Sequence, residues 1–395
     1  MRNTTLRIWS GLGLFVCVCA VAASGGAQRT VSAGEVPVPG GGARRAGEVE
    51  AAVLSAFRQA NIKTAAVAVA TDGGPVFTRA LGVRVGDQGG PADDDTVFRA
   101  ASLGKPVFAY LVLTLVKDGR LDLDRPLHAY LPKPLPRFAE YADLAGDSRY
   151  EAITARLVLT HRTGFPNWRW QSPDRKLRVL FEPGTKFSYS GEGYMYLQFV
   201  VEQMTGAGLE ALAAQRVFTP LGMSRTSFVW RDEYGANSAI DRAPIEKFFG
   251  AGFLALPNSA GSLLTTARDY GRFLAAVLAG TGLPSGLRDD MLRPHVTIDA
   301  DRLFGPPAAT RPATDRERGP FWCLGWGGFT DAAGAARFHV GYDSPEYANY
   351  AVLYPGSRMG VVVLTAGGSG PDTSCPKFVE ALIGRTSTPF QWMGY

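Results

Sequence analysis

The stretch Phe98–Val116, FRAASLGKPVFAYLVLTLV, decides how the rest of the chain is read. Its second half predicts an apolar helix, and Ser102 and Lys105 stand three apart in what should be the first turn, on one face. Pro106 is tolerated there because first-turn amides have no intrahelical partner. Those amides and the positive helix end favour negative charge developing at Ser102. A lysine with the ordinary pKa near 10.4 is neutral in only about four molecules in ten thousand at pH 7, so it serves as a base only if its surroundings lower that value. A shift of roughly three units costs about 4 kcal/mol, which the fold must supply. By itself the pair also describes a helix N-cap serine beside a solvated lysine.

Upstream, EVEAAVLSAFRQA (48–60) has apolar residues at helical spacing, and KTAAVAVAT and PVFTRALGV flank the turn Asp72-Gly73-Gly74, so a helix followed by a β-hairpin is predicted. Downstream, PVFAYLVLTLVKDG, ITARLVLTH, GYMYLQFVVEQMTG and LEALAAQRVFTPLGM are helical runs, each stopped by Gly or Pro, and another helix is predicted over Ala267–Ala279. RFHVGYD, YANYAVLYP and GVVVLTAG read as strands, followed by a last helix from about Cys375 to Ile383. The fold class is therefore α/β (α+β): one sheet built from both ends of a domain spanning 47–386, flanked by helices, with a mostly helical insertion over about 103–235.

The balance of 41 Lys+Arg against 36 Asp+Glu gives a net charge of +5, too little for a nucleic-acid binder, and no basic block is interleaved with aromatics. Four histidines, His128, His161, His295 and His339, without HExxH or paired CxxC, point to neither a metal nor a cofactor. Arg2 and Arg7 precede an apolar run from Ile8 to Ala23 and the small residues Ser24-Gly25-Gly26-Ala27, so residues 1–27 read as an export signal cleaved near Ala27. The run of 16 residues is short for a membrane span of about 20. Val16 and Val18 precede Cys17 and Cys19 where a lipoprotein signal wants a small residue. The expected location is the periplasm or the extracellular medium, with membrane attachment only if the segment is retained. Residues 28–46, with Pro and a Gly triplet, are expected to be a flexible tether. Cys323 and Cys375 remain, and the sequence leaves open whether they pair.

The chemistry of Ser102 gains company from FEPGTKFSYSGEGYMYLQFVVEQMTG (181–206), RVFTPLGM, SAGSLLTTARDYGRFL (259–274), LVLTHRTGFP, DGRLDLDRPLHAYLP and FHVG (338–341). From about residue 50 to 385 the chain resembles the serine β-lactamase and penicillin-binding protein superfamily, in the branch of class C β-lactamases, D-aminopeptidases, DD-peptidases and related esterases. That family's motifs are Ser-x-x-Lys, Tyr-x-Asn, and a Lys or His followed by x-Gly on a strand edging the cleft. Here Ser102/Lys105, Tyr189 and His339-Val340-Gly341 match them in order. The resemblance implies a β-lactamase/transpeptidase-like fold, whose sheet is antiparallel, and an acyl-enzyme on Ser102, with proton transfers shared by Lys105 and Tyr189. The oxyanion would lie between the amides of Ser102 and Tyr342. A phenol is about 0.1% ionised at pH 7, and a nearby Lys105 ammonium is expected to lower its pKa, so the pair should titrate together.

Two departures shape the expected substrate, a small molecule or peptide with cell-wall fragments among the candidates. Gly191 stands where the family has Asn, removing the amide that would hold Lys105 and grip an acyl-amide; Glu192 is adjacent and could reach toward Lys105, but it is read first as a solvated turn glutamate. His339 replaces the Lys of class C β-lactamases, so the cleft lacks a permanent cation. Both changes favour a D-amino-acid peptide or a carboxylic ester over a β-lactam. Trp168 and Arg169 in FPNWRWQSP are candidates for a cleft wall and for binding a substrate carboxylate. Two rival readings stand beside this one. Ala100–Gly104 resembles a degenerate nucleophile elbow of an α/β-hydrolase with His339 as base; and a catalytically silent wall-binding or scaffold protein would keep the fold after losing turnover through Gly191.

Overall fold

Strands from both ends of the chain interleave in one ten-stranded sheet in the computed structural model, which describes residues 34–85, 89–312, 319–343, 346–368 and 374–395. In chain order the strands are β1 (Glu35–Pro37), β2 (Ala43–Arg45), β3 (Thr64–Thr71), β4 (Gly74–Gly82), β5 (Phe98–Ala101), β6 (Lys186–Phe187), β7 (Leu263–Thr265), β8 (Val296–Asp299), β9 (Ala308–Pro312), β10 (Phe321–Trp322), β11 (Gly327–Asp331), β12 (Gly334–Asp343), β13 (Tyr347–Tyr354) and β14 (Met359–Ala366). The helices are α1 (Ala46–Gln59), α2 (Gly104–Lys117), α3 (Ala155–Leu159), α4 (Gly191–Thr205), α5 (Leu209–Ala213), α6 (Arg242–Phe249), α7 (Ala267–Ala279), α8 (Ser285–Leu292), α9 (Ser374–Ile383) and α10 (Phe390–Met393). The large sheet runs β4-β3-β14-β13-β12-β11-β10-β8-β9-β6 with every pair antiparallel. An α/β-hydrolase needs a parallel, doubly wound sheet, so the nucleophile-elbow reading is excluded.

The central strands are apolar at nearly every position because both faces of the sheet are covered. In β3, Ala65, Val67 and Val69 join a core with α1 and α9, while Ala66, Ala68 and Ala70 face the core that holds α2 and α7. Alanines on the second side admit α7 closely, since even a methyl at Gly271 would press on Ala68 and Pro75. The helix α2 is buried from Gly104 to Leu115, around its whole circumference, which fits its lack of a polar stripe.

The predicted hairpin, the α7 helix, the three late strands and the last helix match the elements observed. The short strands β6, β8, β9, β10 and β11 were not read from the sequence, because pairings of two to five residues depend on neighbours rather than on local pattern. Helices α2 to α5 lie within residues 103–235, and α6 carries helical structure beyond that boundary, while β6 leaves the helical region to join the sheet.

The expected tether needs correction where it is described. Residues 34–46 form the β1–β2 hairpin and the start of α1. The Gly triplet is its turn, with positive φ at Gly40, Gly41 and Gly42, and Val36 is fully buried in the sheet's outer core. The Gly40 amide also donates to Ser357 Oγ at 3.0 Å. The export signal over 1–27 and the first part of the tether lie outside the described residues. Among the described residues no helix is long and apolar enough to cross a membrane.

Candidate active site

The short strand β5 ends at Ala101, whose φ of +50° is uncommon for a residue with a side chain, and this turn delivers Ser102 to the head of α2. Lys105, one turn on, is fully buried. Its Nζ donates to the carbonyl of Ala260 at 2.6 Å and lies 3.0 Å from Ser102 Oγ, which is itself 3.1 Å from that carbonyl. The residue at the N-cap is Leu103, and no side chain caps the helix, so the reading of Ser102 as a cap and Lys105 as solvated is set aside. Among the described residues no carboxylate pairs with Lys105. Burial therefore acts on it unopposed and pushes its pKa well below the ordinary lysine value.

Tyr189 enters from the segment between β6 and α4, and Lys105 Nζ lies 4.7 Å from the centre of its ring and 5.5 Å from that of Tyr194. The expected lowering of the phenol's pKa by the lysine is not found. Instead burial raises it, and proximity of the Ser102 hydroxyl offsets only part of the rise. The Tyr189 hydroxyl is buried and close to Ser102 but meets no partner in full hydrogen-bond geometry. The two groups are thus pushed in opposite senses: the amine toward its neutral form, the phenol toward keeping its proton.

The third motif lies on β12, which runs beside β5. A methyl at Gly341 would overlap the carbonyl oxygen of Ala100, so only glycine permits this approach. The Asn349 side chain on β13 donates to the carbonyls of both Arg99 and Gly341, at 3.0 and 2.9 Å, and Arg99 pairs with Asp343, tying the two strands together. Tyr342 is exposed at the edge. His339 does not serve as a cation at the cleft surface. It is fully buried, its Nδ1 is 2.7 Å from the Val340 carbonyl, and burial followed by the charge of Lys105 depresses its pKa to about 3. Its ring backs Tyr189, with centres 6.0 Å apart.

The loop 166–171 settles what replaces the missing Asn. A Cβ built on Gly191 would lie 2.6 to 2.8 Å from three atoms of the Trp168 indole, so that ring already occupies the space a side chain at 191 would need. The loop is pinned above α4. Asn167 accepts from the amides of Gly191 and Glu192 at 3.0 Å, and the Ser190 hydroxyl accepts the Gly193 amide at 2.9 Å while donating to the Pro166 carbonyl at 2.8 Å. Glu192 does not reach for Lys105. It is buried against Arg169, accepting from its Nε at 3.0 Å, its Nη2 at 2.8 Å and its amide at 2.8 Å. Arg169 is therefore committed to Glu192 and to the Glu140 carbonyl, and is not a free charge for a substrate carboxylate. Its ion pair with Glu192 ties the loop that carries Trp168 to α4.

Four contributors escaped the sequence reading. The Ala260 carbonyl is backbone, Asn167 accepts the Gly191 amide, Phe304 meets the Tyr189 ring edge-on at 4.9 Å, and the tilted His161 ring packs on Tyr189 with centres 4.2 Å apart. His161, Asn167 and Ala260 all lie in segments singled out above, LVLTHRTGFP, FPNWRWQSP and SAGSLLTTARDYGRFL, but nothing in those runs marks what they do. Cys323 and Cys375 are both buried, donating to the carbonyls of Leu292 and Ala348, and no disulfide joins them. Among the described residues no cluster of His, Cys, Asp and Glu is arranged to hold a metal ion.

Comparison with known proteins agrees with this geometry. The family described as Beta-lactamase matches residues 48–382. Esterase EstB of Burkholderia gladioli is 28% identical over 334 residues, 71% of this chain and 79% of its own, and the lovastatin esterase of Penicillium rubens is 29% identical over 308 residues, 66% and 74% of the two chains. The crystal structure of D-alanine carboxypeptidase AmpC from Burkholderia cenocepacia superposes with a TM-score of 0.63 at 20% identity, covering 85% of this chain and 97% of that one. With the family matched across most of its length and Ser102 and Lys105 in contact, the chain belongs to the beta-lactamase family, within the serine β-lactamase and penicillin-binding protein superfamily, as a β-lactamase-related serine hydrolase.

Proposed function

We propose that the protein hydrolyses carboxylic esters through an acyl-enzyme on Ser102. The observation that carries this reading is the contact between Ser102 and a fully buried Lys105 that has no carboxylate partner among the described residues. A neutral amine has a lone pair for the Ser102 proton while one of its own N–H groups stays on the Ala260 carbonyl. Ser102 Oγ then bonds to the ester carbon, and the oxyanion rests between the amides of Ser102 and Tyr342, donors each worth about 3 kcal/mol in such sites. When the tetrahedral species collapses, the ester C–O bond breaks and the departing alkoxide takes the Tyr189 proton, which the Lys105 ammonium replaces. Water repeats the sequence on the acyl-enzyme and releases the acid.

The choice of ester over amide rests on Trp168. An indole where the family carries an amide side chain offers an apolar surface and no hydrogen bonds for an acyl-amide, and an ester with an apolar acyl group needs none. The similarity to two esterases supports the same choice. Purified protein tested with short-chain nitrophenyl esters, D-Ala-D-Ala peptides and nitrocefin should turn over the esters fastest. Faster turnover of the peptide or of nitrocefin would reverse the assignment, and none at all with no labelling by a fluorophosphonate would favour a silent binding protein. We further propose export with cleavage near Ala27, supported by Arg2, Arg7 and the apolar run to Ala23. N-terminal sequencing of the secreted protein tests it, an intact Met1 on membrane-bound protein being the contrary result.

A further inference from the structure

Tyr189 is gripped by a single residue from three directions. The amide of Ser188 donates to the His161 carbonyl at 2.9 Å, and the amide of Ser190 donates to His161 Nδ1 at 3.1 Å. Between these two anchors the imidazole lies over the phenol, with ring centres 4.2 Å apart and planes 32° apart. His161 adopts φ +55°, a left-handed conformation rare for residues with side chains, and is fully buried. Trp322 and Phe187 flank its ring with centres 5.0 and 5.9 Å away, which leaves the imidazole little room to turn from Tyr189.

We propose that His161 is a positioning residue for acyl transfer, fixing the peptide on both sides of Tyr189 and the plane of its ring so that the hydroxyl is held beside Ser102 and Lys105. The inference rests on the reading that Tyr189 moves protons in the reaction. A backbone N–H only donates, so Nδ1 must be the bare nitrogen and the ring proton sits on Nε2. Burial, followed by the charge of Lys105, holds the ring's pKa well below the ordinary range and so preserves that acceptor. A histidine that merely filled space would be replaceable by another ring of similar size. A clamp needs the acceptor, and the left-handed backbone is one that Asn also tolerates.

The test compares His161→Phe, which keeps a ring but loses the acceptor, with His161→Asn, which keeps an acceptor and suits the backbone, using Ser102→Ala and Tyr189→Phe as references. For a short-chain nitrophenyl ester, His161→Phe should lower kcat about 100-fold, the order of effect of a misplaced catalytic group, with KM changed less than about threefold. His161→Asn should recover kcat to within about tenfold of the unsubstituted protein. Near-native kcat in His161→Phe while Tyr189→Phe is inactive overturns the clamp, as do equal losses in both His161 variants that track their melting temperatures. If His161→Phe does not fold, His161→Ala, which also loses the acceptor but adds no bulk, decides: a fall confined to kcat supports the clamp, and native kcat or an equal loss through KM overturns it. Unchanged activity in Ser102→Ala or Tyr189→Phe would instead defeat the parent reading.

Discussion

Lys105 Nζ stands 3.0 Å from Ser102 Oγ in a site where burial, not a neighbouring charge, sets the state of the amine. A folded-state pKa held below the ordinary 10.5 means that, between the two values, the unfolded chain binds a proton the folded chain does not. Lys105 thus contributes a stability that rises with pH across that window. The base is competent above its folded pKa and loses activity as pH falls through it. The pH profile of kcat/KM should have its acid limb well below the usual lysine range; a limb near 10 would contradict this assignment.

Lys105→Met removes the base and relieves the cost of burying an amine. Its kcat should fall by about 10³-fold while the melting temperature holds or rises, with a shallower dependence of stability on pH. Circular dichroism melts at several pH values check the second half, and a lower melting temperature at neutral pH would count against a desolvated amine.

Gly341→Ala would force β12 away from Ala100. Such overpacking costs about 1–3 kcal/mol, and the shift should also move Tyr342 away from the oxyanion, lowering kcat by about tenfold or more. Urea unfolding and ester kinetics measure both, and native values would show that the approach of the two strands has slack.

Gly191→Asn restores the family's amide only if Trp168 yields. Alone it should lower ester kcat and stability. Combined with Trp168→Ala it should regain stability and raise the ratio of nitrocefin to ester turnover by about tenfold, the size of one net hydrogen bond to the substrate. A single Gly191→Asn variant with native melting and kinetics would show that the indole does not hold that space.

Arg169→Ala strands the buried Glu192 and frees the Trp168 loop. Breaking a buried pair by removing one partner costs about 3 kcal/mol, so the melting temperature should drop, with partial recovery in Arg169→Ala/Glu192→Gln. The ratio of KM for acidic and neutral esters should not change, and selective loss of affinity for acidic esters would return Arg169 to substrate binding.

What the sequence made legible was what local pattern encodes. The runs of β3 and β4 on either side of Asp72-Gly73-Gly74, the helical period of α7 and the Ser102–Lys105 spacing are each written within a few residues. The anchors of the site are not. The carbonyl of Ala260 has no side-chain signature, and Arg169 looked like a free charge because its partner Glu192 lies 23 positions away and meets it only once the loop folds over α4. His339 read as a cleft residue, yet its position on a covered strand buries it. The Gly40–Gly42 run looked like a linker because a glycine turn and a glycine tether have the same composition, and the pairing of β1 with β2 and the burial of Val36 tell them apart.

Intact-mass analysis after fluorophosphonate treatment tests the central claim most directly. The protein should gain one phosphonyl adduct, mapped by peptide sequencing to Ser102, and a folded Ser102→Ala variant should gain none and lose ester hydrolysis. An adduct on the Ser102→Ala variant, or ester hydrolysis by it at the native rate, would contradict the account.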